Sequence, residues 1–255
     1  MRWNPFLLLE LVRRDLSARY AGSFGGLGWA LVSPLLLCGL YGLVFTAIVR
    51  IPPPEGFSGA YLEFLLAGLI PWIGLQDGLV RGTTAVTDQA HLVRKQAFPT
   101  EYLPLASLFG AMAIQALAVV ALGAFLAVLG EGSVRPFVLV GAFVFEFALV
   151  LGPIFALATA NVFFRDLTQL LGPGLTVLFY LTPVLYPESL VPPRLAPLLF
   201  ANPFRDSIAL FRAGLLGTEA PSVQRLLVWF VLAAIVAVAG VRFFGACRKT
   251  FSDIV

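Results

Sequence analysis

Residues 87–104 (TDQAHLVRKQAFPTEYLP) form a short polar stretch between two long apolar runs of the sequence. The stretch holds the only histidine, His91, and one of the two lysines, Lys95, together with Asp88 and Arg94. A single histidine beside scattered carboxylates gives little basis for acid–base catalysis. A mixed-charge, helix-capable segment that proline ends suits either a loop solvated at the membrane surface or an element that docks on a soluble partner. The residue types alone favour the solvated loop.

The sequence contains no recognisable site for nucleotide hydrolysis or metal binding. A phosphate-binding loop of the form G-x-x-x-x-G-K-[ST] needs a lysine directly after glycine. Lys95 follows Arg94 and Lys249 follows Arg248, so neither lysine completes that motif. Two cysteines and one histidine predict neither a disulfide framework nor a metal site. We expect no enzyme activity and no bound cofactor, so any ATP and magnesium would be bound by another subunit.

Three acidic residues lie in or near the apolar runs, where ionisable side chains are costly and often functional. Asp77 and Arg81 are four residues apart, so they are expected to pair on one helix face. Glu63 is expected near the outer membrane surface. Glu146 is then the one acid deep in an apolar run. We expect its side chain to hydrogen-bond to a neighbouring helix; the alternatives are that it faces a dimer interface or lines a transport path. Ion-driven transport therefore ranks low.

The composition predicts an all-α integral membrane protein that forms a single domain over residues 1–255. The chain is 59% hydrophobic and 12% charged, whereas soluble domains contain about 25% charged residues. A helix needs roughly 20 apolar residues to cross a membrane. Six candidate spans lie near residues 27–49, 60–80, 104–129, 136–160, 168–186 and 226–244. The fifth is interrupted by Gly172-Pro173-Gly174 and ends at Thr182-Pro183.

Two further segments are amphipathic. Residues 4–20 start with Asn4 and Pro5, which suit a helix cap and first position, and predict a helix that lies in the membrane surface. Residues 187–217 predict short external helices that repeat this start at Asn202-Pro203. A helix that ends at Gly217 would place its apolar residues on one face and Arg205, Asp206 and Arg212 elsewhere. A partly buried packing hairpin is the alternative for this segment.

The distribution of basic residues predicts that both termini are cytoplasmic. With that orientation eleven of the 17 Lys and Arg residues lie at inner edges and six at outer edges, as the positive-inside rule favours. The net charge of +3 is mild and does not indicate a nucleic-acid partner. Residues 87–104 then face the cytoplasm.

Together these segments resemble the membrane permeases of ABC exporters for polysaccharides, the family that exports O-antigen, teichoic acid and capsule. The order and spacing of five blocks carry the resemblance. They are RRDLSARYAGSFGGLGWALVSPLL (13–36), LLAGLIPWIGLQDGLVRGTTAVTDQAHLVRKQAFPTEYLPLAS (65–107), ANVFFRDLTQLL (160–171), FYLTPVLYP (179–187) and ANPFRDSIALFRAGLLG (201–217).

The resemblance implies that residues 87–98 are a coupling helix that inserts into a separate P-loop ATPase subunit, present in two copies. Its expected contact residues are Asp88, His91, Leu92, Arg94, Lys95 and Phe98. The substrate would be a lipid-linked polysaccharide exported across the bacterial inner membrane, with residues 187–217 as the exit gate. An exporter of a drug or a small lipid, an ion-driven transporter and a structural scaffold stay open as alternatives.

A six-helix bundle fills its own centre, so we expect a homodimer with the channel between two copies. The resemblance assigns the first and fifth spans to that channel. Aromatic rings suit the apolar faces of sugars, and the candidates are Trp29, Tyr41, Phe45, Phe179 and Tyr180. Ordinary interfacial packing is the alternative for each of them. Arg13, Arg14 and Arg19 are candidates for contacting the lipid-linked pyrophosphate, with binding to anionic membrane lipids or a pure topology signal as alternatives.

Overall fold

A computed structural model describes residues 4–20, 28–51, 53–54, 57, 59–94, 98–130 and 133–255. Within these ranges the regular structure is entirely helical. A π-helical segment, Leu43–Ile48, continues α2, and a 3-10 turn, Glu188–Leu190, precedes α8. The α-helices are α1 Pro5–Tyr20, α2 Trp29–Gly42, α3 Tyr61–Asp88, α4 Ala90–Val93, α5 Tyr102–Leu129, α6 Pro136–Phe163, α7 Leu167–Leu181, α8 Ala196–Phe200, α9 Pro203–Leu216 and α10 Val223–Ile254.

Four helices, α3, α5, α6 and α10, are long and apolar enough to cross a membrane. A multi-pass membrane protein is therefore confirmed, but the predicted count of six full spans is not. The first and fifth predicted spans correspond to shorter apolar helices, Leu35–Ile48 and α7. The 15-residue α7 continues through Pro173, so the predicted interruption does not end it. It ends at Leu181, just before Thr182-Pro183, as predicted, and Thr182 has the extended backbone typical of a residue that precedes proline.

Helix α3 occupies the centre of the fold and packs against α5, α6 and α9. Its buried side chains include Leu65, Leu69, Trp72 and Leu75. Helix α10 packs mainly against α6, and small residues allow the two backbones to touch there. A Cβ atom on Gly240 would lie 2.3 Å from the carbonyl oxygen of Gly152. This close approach is typical of helices that pack within a membrane.

The predicted helix caps are confirmed. The side-chain oxygen of Asn4 accepts hydrogen bonds from the backbone N–H groups of Phe6 at 3.1 Å and Leu7 at 3.3 Å. The side-chain oxygen of Asn202 accepts one from the N–H of Phe204 at 3.0 Å. Gly217 ends α9 with a left-handed backbone, φ 71°, which glycine adopts without strain.

Helix α9 is buried between α3 and α6 rather than lying on the surface. Its buried apolar residues include Ile208, Phe211 and Leu215. The backbone N–H of Arg135, just before α6, donates a 2.7 Å hydrogen bond to the carbonyl oxygen of Gly214. The partly buried packing hairpin, which the sequence left as an alternative, therefore describes this segment.

The two ends of the bundle have different elements. One end, here named the α4 end, contains α4, the end of α3, the start of α5 and the end of α10. The other, named the α9 end, contains the residues before α3, the turn between α5 and α6, residues 187–200 and α9.

Candidate functional site

The predicted coupling segment is only partly helical. Helix α3 extends to Asp88, and Gln89 then leaves helical geometry with φ −112° and ψ 34°. Helix α4 spans only Ala90–Val93, and Phe98 follows outside any helix. Lys95 lies outside the described residues. Over the described residues 87–94, the expected continuous helix is therefore the end of α3 followed by one helical turn, because Gln89 interrupts the hydrogen-bonded backbone.

The apolar and polar side chains of α4 face opposite ways. Leu92 and Val93 are only 8% and 6% exposed and pack in this chain's own core. Phe98 is partly buried against the same core. These apolar residues are therefore occupied within the chain, which differs from the expectation that Leu92 and Phe98 fill a pocket on a partner. Asp88, His91 and Arg94 are exposed.

Three contacts connect the α4 end to distant parts of the chain. A guanidinium nitrogen of Arg14 on α1 lies 3.2 Å from Nε2 of His91. The Nε–H of Arg94 donates a 2.8 Å hydrogen bond to the carbonyl oxygen of Val255. Arg248 on α10 forms a salt bridge with Glu101 before α5. The segment that the sequence marks for docking is therefore linked to α1 and α10.

Arg19 on α1 lies in a buried ionic cluster. Its guanidinium pairs with Asp15 at 2.7 Å and with Asp77 at 2.7 Å, and its side chain is only 2% exposed. Asp77 also pairs with Arg81 at 2.7 Å, which confirms the predicted pair. Arg19 is thus fully occupied and does not fit its expected contact with lipid-linked pyrophosphate.

A cavity of about 590 Å³ adjoins this cluster between α1 and α3. Its cationic side chains, Arg14, Arg19 and Arg81, are matched by three carboxylates, Asp15, Asp77 and Asp88. This balance does not favour a strongly anionic ligand. Arg13 and Arg14 are exposed on α1, so they are the members of the predicted arginine set that can meet lipid headgroups.

Four of the five predicted channel aromatics lie together where α2 meets α7. The ring of Tyr41 lies 6.1 Å from those of both Phe45 and Phe179, centroid to centroid. The rings of Phe179 and Tyr180 are 5.3 Å apart. Phe179 is only 8% exposed, whereas Tyr180 is 58% exposed. Trp29 begins α2, twelve residues before Tyr41, which places it roughly 18 Å away along the helix.

Helices α2 and α7 present apolar side chains that the described part of the chain does not cover. Leu36 and Leu40 of α2 are 65% and 58% exposed, and Leu170 and Val177 of α7 are 68% and 60% exposed. Such a surface faces either lipid or another protein within the membrane.

Glu146 is paired across helices, as the favoured prediction stated. The side-chain amide of Gln115 on α5 donates a 2.9 Å hydrogen bond to its carboxylate on α6. Glu146 is only 2% exposed, so it is a bonded core residue within this chain.

The sequence did not identify a polar network at the α9 end. Asp206 and Arg212 are 0% and 6% exposed, although their spacing predicted that they lie off the buried face. Asp206 pairs with Arg205 at 3.2 Å and with Arg225 at 2.6 Å, and Arg205 also pairs with Glu188. Burial lowers the pKa of Arg205, but the hydrogen bonds and charge of Glu188, with the charge of Asp206, outweigh it and raise the pKa.

Arg212 fixes the segment that follows α7. Its guanidinium donates hydrogen bonds to the carbonyl oxygens of Pro183 and Val184, both at 2.7 Å, and to that of Phe64 at 3.3 Å. It also lies 3.5 Å from the centroid of the Phe64 ring. The one sequence signal was an arginine within residues 208–216, a stretch of α9 that is otherwise small and apolar. Its carbonyl partners could not be predicted from spacing.

The chain was compared with known proteins. Residues 7–216 match the model of the ABC-2 type transporter family. Three relatives carry the name "O-antigen export system permease protein RfbA"; two come from Klebsiella pneumoniae and are 27% and 26% identical, and one comes from Myxococcus xanthus and is 29% identical. Each alignment covers 97% of this chain and 94% of the relative. The family match spans most of the sequence, so the chain belongs to the ABC-2 type transporters, whose permeases are transmembrane subunits.

Proposed function

We propose that this chain is the transmembrane subunit of an ATP-driven exporter that moves a lipid-linked polysaccharide outward across the bacterial inner membrane. The observation that carries the proposal is the similarity to O-antigen export permeases over 94% of their length. The region of similarity includes α4, α7 and α9, which are the elements proposed to dock the ATPase and to line the transport path. Asp77 and Glu146, the acids that ion-driven transport would use, are both paired within the chain.

The α4 end is the proposed docking surface for a P-loop ATPase, which would bind the ATP and magnesium. The exporter would contain two copies of this ATPase, one for each copy of the permease. Exposed Asp88, His91 and Arg94 offer charged and polar contacts. The contacts of His91 with Arg14 and of Arg94 with Val255 support transmission of a movement from α4 to α1 and α10. In this orientation both termini are cytoplasmic and the α9 end faces outward.

The path is proposed to form between two copies of the chain. The uncovered apolar surface of α2 and α7 supports this, because a second copy would bury it. Tyr180 is exposed on that surface and Tyr41 is partly exposed behind it, so both can contact passing sugar rings. A lipid-linked glycan would enter beside α1, where Arg13 and Arg14 are exposed, and residues 187–217 would control its exit.

The docking proposal is tested by reversing charge at Arg94 and Lys95, which directly follow α4 in the sequence. The double variant Arg94→Glu with Lys95→Glu should insert normally in the membrane but lose the ATPase during purification in mild detergent. Arg194→Glu reverses an exposed charge at the α9 end and is the matched control, which should retain the ATPase. Retention by both variants would remove α4 from the docking surface.

The substrate proposal is tested in cells that lack this gene. They should accumulate lipid-linked glycan in the cytoplasmic leaflet and lose surface glycan, and the intact gene should reverse both effects. Tyr180→Ala should reduce export, whereas Phe230→Ala removes a similarly exposed ring, 43% exposed, from α10 and should not. Normal surface glycan in the deletion strain would refute a polysaccharide substrate and favour a drug or small-lipid exporter.

A further inference from the structure

A cavity of about 1000 Å³ opens at the α9 end, apart from the α2–α7 surface. Its walls come from the segment before α3, the first turn of α3, the turn between α5 and α6, residues 187–189 and the side of α9. Cavities of roughly 300–1000 Å³ hold ligands of drug size, so this one has room for several sugar rings. Part of its lining belongs to residues 187–217, the proposed exit segment, but no ligand has been assigned to the cavity itself.

One wall of the cavity is aromatic. Phe57 and Phe64 lie with their ring centroids 6.5 Å apart. The guanidinium of Arg212 covers one face of Phe64, 3.5 Å from its centroid, and Phe64 itself is 7% exposed. Phe57 is partly exposed and therefore offers the more accessible ring. A flat apolar surface of this kind suits the C–H face of a sugar.

The remaining walls are rich in hydrogen-bonding groups that accept from hydroxyls. Carboxylates come from Glu63, Glu188 and Glu219. Side-chain hydroxyls come from Ser133, Ser189 and Thr218. Ionised carboxylates only accept hydrogen bonds, and hydroxyls both donate and accept. This combination matches the many hydroxyl groups on the edge of a saccharide.

The charges of the described lining argue against an anionic ligand. Its cations are Arg205 and Arg212. Arg205 pairs with Glu188 and Asp206, and Arg212 is bonded to three backbone carbonyl oxygens. Within this lining a phosphate or a uronic acid would therefore meet carboxylates and two arginines that are already paired. Arg135, whose guanidinium nitrogen would lie 3.6 Å from a Cβ atom on Gly217, is outside the lining.

A row of aromatic contacts joins this cavity to the α2–α7 surface. Phe64 contacts Tyr61 at 6.3 Å, Tyr61 contacts Phe45 at 6.5 Å, and Phe45 contacts Tyr41 at 6.1 Å, measured between ring centroids. Tyr61 is 4% exposed, so the row is a packed wall and not an open track. It places the cavity directly behind the surface proposed to carry the glycan.

We infer that the α9-end cavity is a binding site for neutral sugar units of the exported glycan, separate from the path between the two copies. The inference rests on the proposed function, because the ligand is the glycan that the chain is proposed to export. A site at the outer end would hold the emerging chain and oppose its return. It would select neutral or amino sugars over acidic ones.

The test introduces a photo-crosslinking amino acid at position 57 and, in a second variant, at position 137. Phe137 is 93% exposed at the start of α6, close to the α9 end but outside the cavity lining, so it is the matched control. The cells carry metabolically labelled surface glycan, and illumination should attach labelled glycan at position 57 and not above background at position 137. Adding Glu219→Gln, which preserves side-chain shape but removes the charged acceptor, should lower the labelling at position 57.

Equal labelling at both positions, or none at position 57 in a variant that still exports glycan, would overturn the inference. Labelling that Glu219→Gln leaves unchanged would also overturn it, because the carboxylate would then have no part in binding. The proposed function is judged separately by the deletion strain. If that strain displays normal surface glycan, the proposed function fails whatever the labelling pattern, whereas export without labelling refutes only this site.

Discussion

Replacing Arg212 with alanine is expected to loosen the connection between α7, α3 and α9. The guanidinium is the shared donor for the carbonyl oxygens of Pro183, Val184 and Phe64. Pro183 and Val184 follow the end of α7, where the chain leaves helical geometry and its carbonyl groups lose their partners within the helix. Both residues are buried, so solvent reaches their carbonyl groups poorly. A Cβ atom on Gly68 would lie 2.5 Å from the guanidinium and 3.2 Å from the carbonyl oxygen of Val184.

The expected loss of stability follows from these contacts. Each buried carbonyl left unpaired costs about 1–3 kcal/mol, and a desolvated cation over an aromatic ring contributes roughly 2 kcal/mol. Removing a buried charge relieves its desolvation cost, and water can enter the space and pair with part of the exposed backbone. The net loss is therefore placed at about 3–5 kcal/mol, the range for removing one partner of a buried charged contact.

The assay is thermal unfolding of the purified chain in detergent, where a loss of this size should lower the melting temperature by roughly 10 °C. Arg212→Lys should recover part of the loss, because an ammonium group keeps the charge but not the planar fork of donors. Arg194→Ala removes an exposed arginine and should change the melting temperature little. If Arg212→Ala and Arg194→Ala have the same melting temperature, the contacts of Arg212 with the carbonyl oxygens do not stabilise the fold and the reasoning fails.

Two further substitutions test other parts of the structure. Gly240→Leu should separate α10 from α6 and lower the free energy of unfolding by about 1–3 kcal/mol. The reason is that a Cβ atom at this position would lie 2.3 Å from a backbone oxygen of α6. Gly245→Leu is the control in thermal unfolding, because nothing lies within 4 Å of a Cβ atom there. Asp77→Asn should cost about 1–2 kcal/mol, because the buried Arg19 loses a charged acceptor. Arg81→Ala removes the other partner of Asp77, whose side chain is 41% exposed, and should cost under about 1 kcal/mol of stability in the same assay. If Arg81→Ala and Asp77→Asn lose equal stability, burial of Arg19 does not strengthen its pair with Asp77.

Local sequence rules predicted several features correctly. The two Asn-Pro starts form caps, Gly217 ends α9, and Asp77 pairs with Arg81. Each of these involves residues within four positions of one another, so the backbone geometry of a helix determines the contact. The family was also recognisable, because it depends on the order of whole segments.

Local sequence rules could not predict contacts between distant segments of the chain. Arg19 was a candidate for contacting a lipid-linked pyrophosphate, but Asp77, 58 positions away, binds it. Leu92 was expected to face a partner, but it packs in the chain's own core. Arg212 was placed off the buried face by its helical spacing, but it is buried and bonded to three backbone carbonyl oxygens. In all three cases tertiary packing decides where the side chain points.

The contacts at the α4 end also constrain how the chain can be assembled. Arg14 meets a residue 77 positions later, Arg94 one that is 161 positions later, and Arg248 reaches back across 147 positions. During synthesis α1 and α4 emerge long before α10, so this end stays incomplete until the last helix has been inserted. A nascent chain stalled before α10 would therefore carry its membrane helices without a finished α4 end, which gives the cell a structural distinction between a complete subunit and a truncated one.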